Sequence, residues 1–133
     1  MTKKKMFIAA LAVSGLLIGC HKENNPVEPP PTLKPLELLY PKGGESLMVG
    51  AIDTVKWRIN DSTKISSVMA KLSTNNGMTY DSVITSSGSV FPPQTSVPWT
   101  ITSGEVSTQC KINIYEYNDP SINDKSGTFT VHN

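Results

Sequence analysis

Cys110-Lys111-Ile112-Asn113-Ile114 alternates apolar and polar side chains residue by residue. A period of two puts Cys110, Ile112 and Ile114 on one face of a β-strand and the polar residues on the other. The pattern recurs to either side. Val55, Trp57 and Ile59 alternate with Lys56 and Arg58, and Val68, Ala70 and Leu72 with Met69 and Lys71. Val97, Trp99 and Ile101 alternate with Pro98 and Thr100, and Phe129 and Val131 with Thr128 and Thr130. Leu36–Leu39, Leu47–Val49 and Tyr80–Ile84 are shorter candidates. Helical periodicity is absent from Leu36 onward. The runs are separated by Gly, Asn, Ser and Pro, so residues 36–133 predict an all-β sandwich of about seven or eight strands.

Short strands with turn signals at this spacing suit a single immunoglobulin/fibronectin-like domain. Trp57 and Trp99 fall on the apolar phase and are the expected core anchors. Pro98 cannot donate to a ladder, so it must face an edge or sit at a bulge. Pro41-Lys42-Gly43-Gly44 and Asn75-Asn76-Gly77 supply turns, the second suiting a hairpin. Asn118-Asp119-Pro120 is read as opening the last long loop.

The whole chain is 133 residues, 38% hydrophobic, with a net charge of +1. That allows one modest domain and argues against a nucleic-acid partner, which calls for a basic surplus. With only two cysteines and two histidines, little material is left for a four-ligand zinc site.

Lys3, Lys4 and Lys5 precede an uncharged apolar run, Met6 to Ile18. That run is about 13 residues, short of the about 20 a spanning helix needs, and it reads as a secretory signal. Its end, Leu17-Ile18-Gly19-Cys20, resembles the lipobox of bacterial lipoproteins. The resemblance implies that residues 1–19 are a signal peptide and that Cys20 becomes the first mature residue. It also implies that the Cys20 thiol carries diacylglycerol and that the new amine is acylated, as by palmitate. Several acyl chains anchor stably where one is marginal. Loss of residues 1–19 leaves 114 residues with 9 basic and 11 acidic side chains, about −2.

Residues 20–35 are expected to form a tether, with Pro26, Pro29, Pro30, Pro31 and Pro35 and few large apolar side chains. In polyproline II it would reach roughly 40 Å or less. His21-Lys22-Glu23 resembles, over a short span, the Lys-acid surface-export signals of some Gram-negative lipoproteins. The expected location is the cell envelope, at the outer membrane or cell surface rather than the inner membrane.

Several pieces recur in one order: Pro41-Lys42-Gly43-Gly44-Glu45-Ser46-Leu47, Gly50, Val55-Lys56-Trp57, Lys71-Leu72-Ser73, Asn76-Gly77 and Val97-Pro98-Trp99. Cys110-Lys111-Ile112 and Asp124-Lys125-Ser126-Gly127-Thr128-Phe129 close the set. From Leu36 to Val131 the chain resembles the Ig-like domain of the Ser/Thr-rich, GPI-anchored membrane family. That family includes the N-terminal domain of fungal cell-wall β-glucan synthesis proteins. The resemblance implies an extracellular β-sandwich associated with surfaces or walls and carries over no catalytic residue. A bacterial lipid anchor in place of a long Ser/Thr-rich tail points away from glucan synthesis itself. Ser73-Thr74-Asn75-Asn76-Gly77-Met78-Thr79-Tyr80 is similar to the Asp-box of sialidase-type propellers, with Asn75 for the aspartate and Tyr80 for the tryptophan. One copy cannot build a propeller, and it is read as a non-catalytic hairpin device.

No nucleophile elbow, Gly-rich phosphate loop or zincin helix occurs. The acids Glu37, Glu45, Asp53, Asp61, Asp81, Glu105 and Glu116 are scattered and read as solvated surface. With Cys20 lipidated, Cys110 has no disulfide partner and reads as a small buried hydrophobe. Asp119 and Asp124, with Asn118 and Asn123, could offer oxygen ligands to calcium from one loop, as a minor alternative to having no metal. Tyr115 and Tyr117 continue the Cys110 strand on the opposite phase and are the candidate binding surface. No cofactor is expected. The expected function is a non-catalytic binding or adhesion module for cell-wall or environmental polysaccharide, held to membrane lipid through Cys20. Docking of an envelope protein in a structural assembly is the alternative, and a small glycoside hydrolase the third reading.

Overall fold

A computed structural model describes residues 26–86 and 88–133. Cys20 and the signal lie outside the described residues. Thr32–Asn133 form a compact unit. Thr32–Pro35, read as the end of the tether, belong to it. The Pro35 carbonyl accepts the Asn60 N–H, and Lys34 pairs with Asp124. Among the described residues no helix is long and apolar enough to cross a membrane.

The unit is an all-β sandwich of nine strands, β1 (Leu36–Tyr40), β2 (Ser46–Met48), β3 (Ile52–Ile59), β4 (Val68–Ser73), β5 (Ser82–Val83), β6 (Ser96–Thr100), β7 (Ser107–Glu116), β8 (Asp119–Lys125) and β9 (Phe129–His132). One sheet has the order β1-β3-β6, and the other β2-β9-β7-β4-β5. β7 is the spine of the second sheet. β4 pairs along one side of it, and its other side is shared by β9 near its start and β8 near its end.

Period-two alternation forms the core as expected. Leu36, Leu38, Val55, Trp57, Val97 and Trp99 from the first sheet face Ala70, Leu72, Cys110, Ile112, Ile114, Phe129 and Val131 from the second. Trp99 meets Phe129 edge to face, with centroids 6.2 Å apart at 75°. Its Nε1–H donates to the Glu105 carboxylate at 3.2 Å, whereas Trp57 Nε1 has no acceptor among the described residues. Pro98 sits on β6, an edge of the first sheet. Ile101 N–H and the Thr95 carbonyl bond toward the β3 side. Alternation therefore aims the Pro98 nitrogen at the free edge, which discourages pairing there.

The ninth strand is a correction. Asp119–Lys125 was expected to be loop, and it is β8, paired with β7 from Asn113↔Lys125 to Glu116↔Asp119. Its most buried residue is Asp124 rather than a hydrophobe, so it carries no apolar alternation to read. Asp124 instead accepts the Leu38 N–H at 2.9 Å, capping β1 across the gap between sheets.

The Asn75 region closes the β4–β5 hairpin. Asn75 Oδ1 accepts the Thr79 N–H at 3.0 Å, Ser73 Oγ accepts the Gly77 N–H at 2.8 Å, and Gly77 has φ +85°.

The chain changes sheets between β1 and β2. Gly43, at φ +127°, lies so close to Gly127 that a Cβ on it would fall 2.9 Å from the Gly127 Cα. Gly127 N–H donates to the Lys42 carbonyl at 2.7 Å and Gly44 N–H to the Thr128 carbonyl at 2.8 Å. Glu45 caps the turn by accepting from Lys42 N and Gly43 N. Gly44 has a positive φ too, with open space around it. Gly43→Ala and Gly44→Ala share a positive-φ strain of about 1–3 kcal/mol. Only Gly43→Ala adds a backbone clash, so its unfolding free energy in urea is expected to fall further by at least about 1 kcal/mol.

Candidate functional site

β7 is buried on one phase and outward on the other. Cys110, Ile112 and Ile114 point inward, and Lys111, Asn113 and Tyr115 point out. Strand register places neighbours beside them. Met69 of β4 and Asn123 of β8 flank Tyr115, while Lys71 of β4 and Lys125 of β8 flank Asn113. Directly opposed side chains on one sheet face sit about 4.5–5.5 Å apart at Cβ. The outer face of the second sheet thus carries one tyrosine, a methionine, amides and long cationic side chains.

Tyr115 is half-buried between its neighbours. Tyr117 lies just past the end of β7 and is 54% exposed. Tyr115 stands on the outward phase of β7, whereas Tyr117, expected to continue that strand, lies in the turn beyond it. Tyr115 is pressed into the sheet, and Tyr117 stands at the tip of the β7–β8 hairpin.

What holds that tip is Glu116, whose side chain enters the protein. Glu116 is 3% exposed. Its carboxylate accepts from Ser66 N at 2.7 Å, Ser66 Oγ at 2.7 Å, Ser67 N at 3.0 Å and Asn118 N at 3.0 Å. Tyr117 N–H then donates to the Ser67 carbonyl at 3.0 Å. The β3–β4 loop and the β7–β8 turn are therefore tied through one anion, and the Tyr117 backbone is fixed by both. Burial raises the Glu116 pKa. The hydrogen bonds from Ser67, Asn118 and Ser66 outweigh that and bring it down to about 2. A carboxylate so fully hydrogen-bonded is a poor proton donor near neutral pH. A cavity of about 540 Å³ opens beside it, lined by Thr63, Lys64, Ser66, Asn118 and Asp119 among others.

Two of the acids read as solvated surface, Glu105 and Glu116, are in fact buried. Glu105 accepts the Thr102 N–H at 2.7 Å as well as the Trp99 indole. The calcium alternative also requires correction. Asp119 and Asp124 do not share a loop but stand at opposite ends of β8. Asp119 accepts from Ser121 N and Oγ. Asp124 is buried against Lys34 and the Leu38 N–H. Burial raises its carboxyl, and these partners pull it below the usual range. Among the described residues no three acid, His or Cys side chains gather as metal ligands do. Cys110 is fully buried, and burial pushes its thiol up.

Sequence reading took Glu116 for a surface acid. The available signal was the phase itself, since Glu116 continues the inward positions Cys110, Ile112 and Ile114 at period two. Neither a family model, nor a curated protein, nor a solved structure matches the chain. Function therefore has to be reasoned from the surface.

Glu116→Gln is expected to lower the unfolding free energy by about 2 kcal/mol at pH 7, because a charge-accepting carboxylate facing buried donors is lost. The folded pKa of about 2 lies below the ordinary 4.5. Wild type therefore holds this stabilisation above pH 4.5 and loses it as pH falls toward 2. Urea midpoints of the two proteins should converge over that window, and a constant gap would contradict the assignment.

Proposed function

We propose that this protein is a lipid-anchored lipoprotein of the cell envelope whose immunoglobulin-like sandwich is a non-catalytic binding module for polysaccharide. The observation that carries the reading is the outer face of the second sheet, where Tyr115 stands outward on β7 beside Asn113 and Asn123, with the exposed Tyr117 just past the end of the strand. A flat aromatic with a polar rim suits the face of a sugar ring, and amides suit its hydroxyls. Glu116 supports binding over hydrolysis, because its oxygens are already taken by the loops it holds. The lipobox-like Leu17-Ile18-Gly19-Cys20 and the proline-rich segment after it suit display at a membrane surface.

Two measurements test this. Cys20→Ser is expected to shift the protein from the membrane to the soluble fraction, and unchanged fractionation would count against lipid attachment. Tyr115→Ala with Tyr117→Ala is expected to weaken retention on insoluble wall polysaccharide by roughly tenfold, as loss of two stacking contacts implies. Full retention with an intact urea transition would remove the tyrosines from the binding face. Co-purification of an envelope protein without any glycan retention would replace the reading with a docking role.

A further inference from the structure

The same sheet face carries a charge pattern that the tyrosines do not explain. Lys71 and Lys125 lie on either side of Asn113, and Lys111 is the next outward residue along β7. Arg58, Lys64 and Lys34 pair with Glu37, Asp61 and Asp124, whereas Lys71, Lys111 and Lys125, like Lys42 and Lys56 elsewhere, pair with no acid among the described residues. The rows Lys71–Asn113–Lys125 and Met69–Tyr115–Asn123 contain no carboxylate. Asp119, at the far tip, is occupied by Ser121, and Asp81 accepts from Thr79. This is the opposite of the overall balance, since residues 20–133 hold 9 basic and 11 acidic side chains.

Lys71 and Lys125 are two strand spacings apart, about 10 Å. That exceeds the Debye length of about 8 Å at physiological salt, so the three cations tolerate one another there, while an anion in direct contact with any of them is screened far less. Between them Asn113 Oδ1 is buried and lacks a hydrogen-bond donor among the described residues. Unpaired cations on a surface without acids are sites for anions. A sugar carrying a carboxylate supplies the anion, and its ring face can lie on Tyr115 in the adjoining row.

We infer that the face bearing Lys71, Lys111, Lys125 and Tyr115 binds an acidic polysaccharide, its carboxylates pairing with the lysines and a ring face lying on Tyr115. This rests on the polysaccharide-binding reading above and names the ligand's charge class.

The test uses the lipidated protein in nonionic detergent, with immobilised polygalacturonate, a neutral glucan and beads bearing glycerophosphate headgroups. Retention on polygalacturonate should exceed that on glucan and fall as salt rises from about 0.01 to about 1 M, where the Debye length drops from about 30 to about 3 Å. Lys71→Gln, Lys111→Gln and Lys125→Gln combined should weaken it about tenfold or more. The corresponding triple Arg variant should retain it, which separates lost charge from lost fold. Equal retention on both polymers, unchanged by salt and by the Gln variant, would overturn the inference and leave the polysaccharide reading standing. Retention on neither polymer would overturn both. Retention on the glycerophosphate beads alone would overturn the inference in favour of a membrane-facing surface.

Discussion

The sandwich closes where two glycine backbones meet. β1 belongs to the first sheet and β2 to the second, so the chain must cross between them in the few residues from Pro41 to Glu45. It does so by laying Gly43 against Gly127 with no room for a Cβ. The crossing fixes β2 parallel to β9 and brings the end of β8 to the edge of β1. Asp124 then satisfies the Leu38 N–H that this edge would leave bare. One close approach thereby sets which strands border each sheet, and with them which faces remain outward.

This contact also gives a physical reason for the order of the sequence pieces. Pro41-Lys42-Gly43-Gly44-Glu45 and Asp124-Lys125-Ser126-Gly127 lie far apart in the chain and touch through the Lys42 carbonyl and the Gly127 N–H. Neither piece is informative alone, since glycines mark many turns. The positive φ at Gly43 was legible in the sequence as turn chemistry. Its partner was not, because a backbone-to-backbone approach leaves no pattern beyond a missing side chain.

The core was legible because burial and period coincide. Every run that alternated cleanly, from Val55 to Val131, supplies inward residues to the core. Reading failed where an inward position is polar. Asp124 and Glu116 each sit where alternation would place a hydrophobe, and each instead accepts main-chain donors from another segment. In the sequence such residues look like surface acids, and β8 consequently looks like a loop. The cost of burying a charge is met only by several well-placed donors, and those donors come from chain about fifty to ninety positions away. That information is tertiary.

For the candidate face, the outward phase of β7 could be read directly as far as Tyr115, whereas the turn that takes Tyr117 off the strand could not. The lysines were harder. Lys71, Lys111 and Lys125 come from three strands, and only the register of β4 and β8 on β7 gathers them beside Asn113. Charge in the chain as a whole hides the grouping, because acids elsewhere outnumber it. Two of the three buried carboxylates sharpen the contrast further. Asp124 neutralises Lys34 at one edge, and Glu116 is consumed by the loops it joins. Acids are thus drawn inward or to the rim as connectors, while the cations of the β7 face stay on the sheet surface. The β7 face is left cationic because the inward acids beside it, Asp124 and Glu116, are engaged with Lys34 and with main-chain donors.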